Sequence, residues 1–573
     1  MVRNESEKEV CLFSQEQLDS IEAGYNDWFN NVLKDADRQE ELAGRYNTHS
    51  GIPVKLLYTP ADVAKVDYAK DIGFPGCEPY IRGVYPNMYR GRPFTVRQLA
   101  GLGAPEDCNL RIKYLLKHGA TGINILFDLP TIRGYNSDDP EAEGNVGHCG
   151  ASVDSIWDVD AYFKDIDMGA ISTSVVTHLP STSIVIPGMY FAVAEQRGVS
   201  KDKIAGTCQN DFIMETCVGS GPEILPPPVS FRLQCDVVEF ICQNYPRWNP
   251  ISYNGYNLRE AGTNAVQEVA IAIANAIATA EELVRRGLNV DRFAPRMSFF
   301  WDLHNDFFEE IAKCRASRKV WYKIMKERFG AKSAKSMLMR FHIQTAGVTL
   351  TATEPLNNVA RSALQGLAAV FGGCQSLHID SFDEAYSAPT EEAALVSLRT
   401  QQIIQAETGA INTVDPLAGS YYLEYLTEEM VKRIFEYIRV IEDLGGLVKA
   451  VENGWLHREI ANYNLEYQKK IETGETKVVG VNYHRAEHAA AKEIEVFEYP
   501  ETFSRQKAKL DRLRKERSPQ KVDECMKVLR DKCHSDENLY PYTMEAVKNL
   551  VTLGEIEELF REEFGLWTFP LIS

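Results

Sequence analysis

Short apolar runs alternate with helical stretches through the middle of the chain. From about residue 93 to residue 380 there are eight strand-like segments, beginning near Phe94, Gly122, Ile171, Ile204, Ile251, Arg296, Met339 and Cys374. Strand and helix in strict alternation predict a parallel sheet, and eight such units predict its closure into a (β/α)8 TIM barrel.

The strands carry an unusual inner face. A barrel interior is normally filled by Val, Ile and Leu, yet Ser172 and Ser174, Thr207 and Gln209, Ser252, Ser298, His342 and Gln344, and Gln375 fall at or near alternating positions. Alternation puts such residues on one face. An inward-facing set leaves an open, polar bore whose groups need partners, and a long ligand threaded through the barrel supplies them.

Outside the repeats, residues 1–45 predict an N-terminal extension with helical patterning from Glu16 to Ala36, and residues 46–415 hold the barrel. The turn Asp415-Pro416-Leu417-Ala418-Gly419-Ser420 opens residues 416–573, a helical region expected to contact a partner subunit. The run Ala265 to Val284 is interrupted by Gln267, Glu268, Asn275, Thr279, Glu281 and Glu282, which predicts an amphipathic covering helix and excludes a membrane span.

A formal charge of −19 excludes a nucleic-acid partner. The densest basic stretch, Arg505 to Lys532, reads as a solvated helix face or subunit contact. Twelve cysteines without a C-x-x-C pair, and a start without an apolar signal core, predict a reduced, cytoplasmic chain with no disulfides or zinc ribbon. No His/Asp/Glu cluster with metal-ligand spacing is legible at strand ends, so no metal ligand is expected from this chain.

The densest chemistry lies in Tyr85-Pro86-Asn87-Met88-Tyr89 and Arg92-Pro93-Phe94-Thr95-Val96-Arg97-Gln98-Leu99-Ala100-Gly101. This stretch resembles the substrate-binding signature of the adenosylcobalamin-dependent acyl-CoA mutases, the methylmalonyl-CoA mutase family, approximately Y-P-T-M-Y-x-x-R-P-W-T-I-R-Q-Y-A-G. Further blocks, Phe127 to Asp138, Gly206 to Asp211, Phe293 to Trp301 and Gly372 to Glu384, resemble the family in the same order, across roughly residues 50 to 570. The family's D-x-H-x-x-G motif, whose histidine ligates cobalt, is not found. Asp302-Leu303-His304 lacks the glycine and reads as structural. The chain thus resembles the large subunit of a split mutase. The resemblance implies that a separate small cobalamin-binding subunit supplies the cobalt ligand, in an expected heterotetramer.

The resemblance also implies roles. Tyr85, Met88, Arg92, Thr95 and Arg97 are expected around the CoA thioester and its phosphopantetheine, with Asn124, Ser174, Arg296, Ser298, His342 and Gln344 lining the same bore. Gly101, Cys149, Gln375 and Glu384 are expected at the adenosyl group. Gln209, Tyr256 and Asn257 are expected at the reacting atoms. Asn257 stands where the family has a histidine that hydrogen-bonds the migrating carbonyl; an amide can donate that bond but cannot protonate.

Leu99 and Gly219 replace the family's tyrosine and arginine anchors for a substrate carboxylate, and Leu126 replaces the aspartate of the 2-hydroxyisobutyryl type. An unpaired carboxylate in a closed site is costly, so methylmalonyl-CoA is disfavoured and a bulky or aryl-substituted acyl-CoA is expected, with Arg259 or Arg133 as candidate partners for any carboxylate. The alternatives are an isobutyryl-CoA or 2-hydroxyisobutyryl-CoA mutase-like large subunit and a non-catalytic homologue.

Overall fold

The structure, a computed structural model, describes residues 13–44, 46–148, 150–218, 224–386, 389–485, 499 and 501–568. Nine parallel strands make one sheet: β1 (Thr95–Ala100), β2 (Gly122–Leu126), β3 (Ser172–Val176), β4 (Ala205–Cys208), β5 (Trp248–Asn249), β6 (Ile251–Asn254), β7 (Met297–Leu303), β8 (Phe341–Thr345) and β9 (Ser376–His378). Their order is β5-β4-β3-β2-β1-β9-β8-β7-β6. Only Pro250 separates β5 from β6. It has no N–H to give to a ladder, so one extended pass of the chain is cut in two. The first piece pairs with β4 and the second with β7, which closes an eight-pass α/β barrel except at that break.

Register places the polar positions side by side. Asn124 lies opposite Ser174, Ser174 opposite Thr207 and Thr207 opposite Asn249, while Ser252 lies opposite Ser298 on the other side. With a side-chain period of two, these positions share one face.

Apolar burial lies outside the ring, in two large clusters. One joins β6 to β9 with the helices Ala265–Arg285, Phe307–Lys323 and Tyr421–Asp443. The other joins β1 to β4 with the C-terminal helices Pro519–Cys533, Tyr540–Lys548 and Leu553–Phe564. The helix Ala265–Arg285 is more deeply covered than an amphipathic helix should be, because Tyr421–Asp443 packs over it. Its polar residues are internal ties: Asn275 Nδ2 donates to Asp211 (2.7 Å), and Glu268 takes the Asp302 N–H (2.9 Å) and the Lys313 ammonium (2.7 Å).

Two further expectations change. The N-terminal helical patterning breaks into Gln15–Asp27, a π-helical turn and Asp35–Leu42, since Leu33 and Lys34 adopt extended backbone. The basic stretch is solvated on one side, with Lys507, Arg512, Lys515 and Lys521 exposed, while on the other Lys509 pairs with Asp158 (2.7 Å), Arg514 with Asp138 (2.5 Å) and Arg517 with Glu555 (2.5 Å), which ties the C-terminal helices to the barrel and to one another. Among the described residues no helix is long and apolar enough to cross a membrane.

Candidate active site

Inside the ring the polar residues enclose ≈ 970 Å³ of atom-free space, partly open to solvent, toward the N-terminal ends of the strands. Tyr85, Met88, Arg92, Thr95, Arg97, Asn124, Ser174, Gln209, Ser298, His342 and Gln375 all line it. Met88 reaches the wall from a backbone held at φ +37°, a conformation costly for a side-chain-bearing residue and common at functional sites.

Arg97 dominates the electrostatics. It is 8% exposed, and among the described residues its guanidinium donates only to neutral oxygens: Ser172 Oγ (2.8 Å), Asn124 Oδ1 (3.3 Å) and the Ile123 and Ser172 carbonyls (3.3 and 3.5 Å). Burial alone pushes it down to about 10. A buried cation without a carboxylate favours an anionic or strongly polar guest. His342 lies beside it, with Nδ1 on Ser376 Oγ (2.8 Å) and Nε2 buried without a partner among the described residues. Burial, then Arg97, keeps this imidazole well below its ordinary range and therefore neutral.

The N-terminal mouth extends the positive charge. Arg296 and Arg340 precede β7 and β8, and Arg340 donates to the Pro295 carbonyl. Burial, and then Arg340 itself, lower Arg296. Two arginines close enough to repel across an open mouth suit a phosphate-bearing ligand. Arg296 is not among the residues lining the cavity itself.

Toward the C-terminal ends the character reverses. His342 lies 5.1 Å from Phe300, which stacks 4.9 Å from Tyr256 at an interplanar angle of 6°. The Tyr256 hydroxyl accepts from Gln344 Nε2 (3.0 Å), which also donates to Asp380 (2.8 Å). Tyr256 and Asn257 sit on the short helix Gly255–Glu260, capped by Asn254, whose Oδ1 takes the Asn257 N–H (2.9 Å). Asn257 Oδ1 accepts from Asn254 Nδ2 (3.4 Å), which leaves its own amide for donation. Asp211 fixes this corner by accepting the Asn254 N–H (2.7 Å). Gly101 and Leu126 meet at the same end: a Cβ on residue 101 would lie 2.2 Å from the Leu126 carbonyl oxygen, so only glycine fits.

The structure therefore separates residues that sequence reasoning grouped together. Gln344 and Tyr256 lie above the cavity rather than on its wall. Gln375 lies at the opposite end from Gly101 and Glu384, its amide bonded to the Phe341 N–H (2.9 Å) and the Gly373 carbonyl (2.9 Å). Arg259 is committed to Glu310 (3.3 Å) and the Thr263 carbonyl, so it is no free partner for a substrate carboxylate. Arg133 Nε is buried without a partner. Leu99 is opposite Asn124 in the ladder; Cys149 and Gly219 lie outside the described residues.

Of the acids at the C-terminal mouth, sequence reasoning expected Glu384 at the adenosyl group and missed Glu260, Asp302 and Asp380. Glu260, Asp302, Asp380 and Glu384 face one another there, and burial, followed by Asp380 and Glu260, raises Glu384 well above the usual carboxylate range. Asp302 follows Ser298 and Phe300 at even spacing on β7, the only signal that could have shown it pointing inward. The spacing argument against a ligand cluster also fails, since chain distance hides it: His49, Asp306 and Glu309 bring possible ligand atoms within 4.8 Å of one another.

An eight-pass barrel with a polar, cation-holding bore finds its counterparts among known proteins. Residues 47–566 match the family described as methylmalonyl-CoA mutase. The chain is 42% identical over 556 residues to the 2-hydroxyisobutanoyl-CoA mutase large subunit of Aquincola tertiaricarbonis, covering 96% of each. It is 39% identical over 524 residues to the methylmalonyl-CoA mutase of Rhizobium meliloti (strain 1021), covering 91% of this chain and 73% of that protein. It is 36% identical over 523 residues to the human mitochondrial methylmalonyl-CoA mutase, covering 91% and 68%. Fold and relatives define an isomerase of the coenzyme-B12-dependent acyl-CoA mutase class. The chain belongs to the methylmalonyl-CoA mutase family.

Proposed function

We propose that this chain is the substrate-binding large subunit of an adenosylcobalamin-dependent carbon-skeleton mutase. The observation that carries the reading is the bore itself, in which a cation and an unpartnered imidazole nitrogen line a tube that neutral side chains leave open. A CoA ester offers phosphates for Arg296 and Arg340, amides for the serine and asparagine ring, and a thioester carbonyl for the donors further up. Acyl-group rearrangement then belongs near the C-terminal end, where Tyr256, Asn257 and Gln344 stand. Asn257 orients and polarises a carbonyl by donating a hydrogen bond, without transferring a proton.

The hydroxyl-rich adenosyl group fits the acceptors of the C-terminal mouth, where Glu260 Oε1 is buried without a partner. Glu384 and Glu260 would hold it there, next to the Gly101–Leu126 contact. When bound, the cofactor supplies the radical chemistry. A separate small subunit is the source of the cobalt ligand, a reading supported by 96% coverage of a relative named as a large subunit.

For the substrate, Leu99, Leu126 and Gly219 favour a bulky or aryl-substituted acyl group that gains burial energy at about 25 cal/mol per Å². The 2-hydroxyisobutyryl type is the second reading, favoured by the 42% identity to that large subunit. The test combines the chain with a small cobalamin-binding subunit and adenosylcobalamin, then follows isomer formation by chromatography across acyl-CoA esters of increasing size. Turnover of a bulky ester, with none of methylmalonyl-CoA, is the expected result. Turnover of 2-hydroxyisobutyryl-CoA alone selects the second reading, and assembly without any turnover rejects both.

A further inference from the structure

Asp302 is 0% exposed on the inner face of β7, and among the described residues neither of its carboxyl oxygens has a hydrogen-bond partner outside the acid cluster. Its side chain is within hydrogen-bonding reach of Glu260, whose Oε2 takes the Val348 N–H (2.8 Å) and whose Oε1 is buried without another partner. The groups around the two are also mostly acids: Asp380 and Glu384 from the segment after β9, and Glu268 from the helix Ala265–Arg285. Two cations lie near, but both are engaged. Lys313 binds Glu268 (2.7 Å), Glu310 (2.5 Å) and the Asp302 backbone carbonyl (2.6 Å), and Arg259 binds Glu310 (3.3 Å).

Two touching carboxylates removed from water, without a cation of their own, cannot both ionise. We propose that Asp302 and Glu260 form a proton-sharing carboxyl pair in which buried Asp302 stays neutral and donates to Glu260, holding Glu260 as an acceptor beside the Tyr256 hydroxyl at the C-terminal mouth. Asp302 is then a positioning residue: its proton takes the place of the missing cation and lets an anionic carboxylate stand in this acid-rich corner. The placement is tight, since a Cβ at Gly347 would lie 3.2 Å from Glu260 Oε2 and 3.3 Å from the Tyr256 hydroxyl. Burial pushes Asp302 well above the carboxylate range, with Glu260 adding to the effect, and burial raises Glu260 to about 7. Their contact makes the two titrate as a coupled pair. Its bearing on catalysis rests on the mutase reading above; its existence does not.

Infrared difference spectra of the folded chain alone, at about pH 8, about one unit above the value for Glu260, test the pair directly. Wild type against Asp302→Asn should show the loss of one neutral-carboxyl C=O band, and wild type against Glu260→Gln the loss of a carboxylate with that neutral band shifted but kept. Loss of carboxylate bands alone in both spectra overturns the proposal. If the Asp302 variant does not fold, the Glu260→Gln spectrum, from a less deeply buried position, decides by itself.

In the assembled enzyme Asp302→Asn, which keeps a donor, should hold KM within about threefold and retain the acid limb of the pH profile. Asp302→Leu, which keeps none, should raise the proton affinity of Glu260 about tenfold and move that limb up by about one pH unit. Identical profiles for the two variants overturn the positioning role. A chain that shows the neutral carboxyl but turns over no acyl-CoA supports the pair and defeats only the functional reading.

Discussion

At the N-terminal end of the strands Arg92, Arg97, Arg296 and Arg340 gather around the bore, whereas at the C-terminal end Glu260, Asp302, Asp380 and Glu384 gather around Tyr256. The two ends meet the cost of burying charge differently. Arg97 keeps its charge by donating to a ring of neutral oxygens, because guanidinium has five donors and stays protonated when desolvated. Asp302 and Glu384 opposite hold their protons more tightly instead, because burial disfavours their charged forms. One barrel thus offers an anion-seeking end and a donor-seeking end, joined by the ring stack His342, Phe300 and Tyr256.

The comparison breaks most severely at the joint between the ends. Asp211 accepts from the Asn254 and Ile213 N–H groups and from Asn275, and Asp211→Ala leaves the two N–H donors buried and unpaired and Asn275 Nδ2 with only a long contact to Gln234 (3.4 Å). A loss of about 3 kcal/mol in denaturant unfolding is expected. Glu557, 2% exposed on the helix Leu553–Phe564, asks whether uncompensated carboxyl burial is generally costly here. Burial raises it from 4.5 to about 7, so the folded state holds its proton more tightly. Its contribution is fully present below pH 4.5 and is lost as pH rises to about 7, after which it is flat. Glu557→Gln should therefore stabilise the protein at about pH 8 by roughly 2–3 kcal/mol and leave it nearly unchanged at about pH 4, as thermal melts at the two values would show.

Smaller effects sharpen the N-terminal end. Arg97→Met removes a buried cation that no carboxylate compensates. It should lower acyl-CoA affinity by about 2 kcal/mol, roughly thirtyfold, in titration calorimetry, while the Tm of the free chain holds or rises. Arg340→Ala should weaken the same ester by about 1 kcal/mol and flatten the salt dependence of binding, since a half-buried mouth arginine acts mainly through screened charge. A falling Tm for Arg97→Met would mean that the guanidinium is a structural pin rather than a ligand group.

Much of the fold was legible because it rests on local periodicity. Each of the eight expected strands is present, and small polar residues at alternate positions announced a bore lined by Ser174, Thr207, Ser252 and Ser298. The split at Pro250 follows from the missing N–H, although only the ladder shows that its halves join opposite edges of the sheet. The N-terminal half of the site was equally readable, since Tyr85 to Arg97 is one contiguous stretch. The C-terminal half was legible only in part, through the resemblance that named Tyr256, Asn257 and Glu384. Glu260 and Asp302 are far apart in the chain, each looks like an ordinary acid, and nothing local shows that they meet.

The sequence by itself determined the barrel, the polar bore and the family, because strand alternation, helix spacing and contiguous motifs depend on neighbours in the chain. Only the tertiary structure decided which charges find partners. It bound Arg259 to Glu310, tied Lys509 and Arg514 of the basic C-terminal stretch to barrel acids, left Arg97 among neutral oxygens and brought Asp302 against Glu260. The physical reason is that the ionisation of a side chain depends on its burial and on the groups within a few ångströms, and chain closure fixes both.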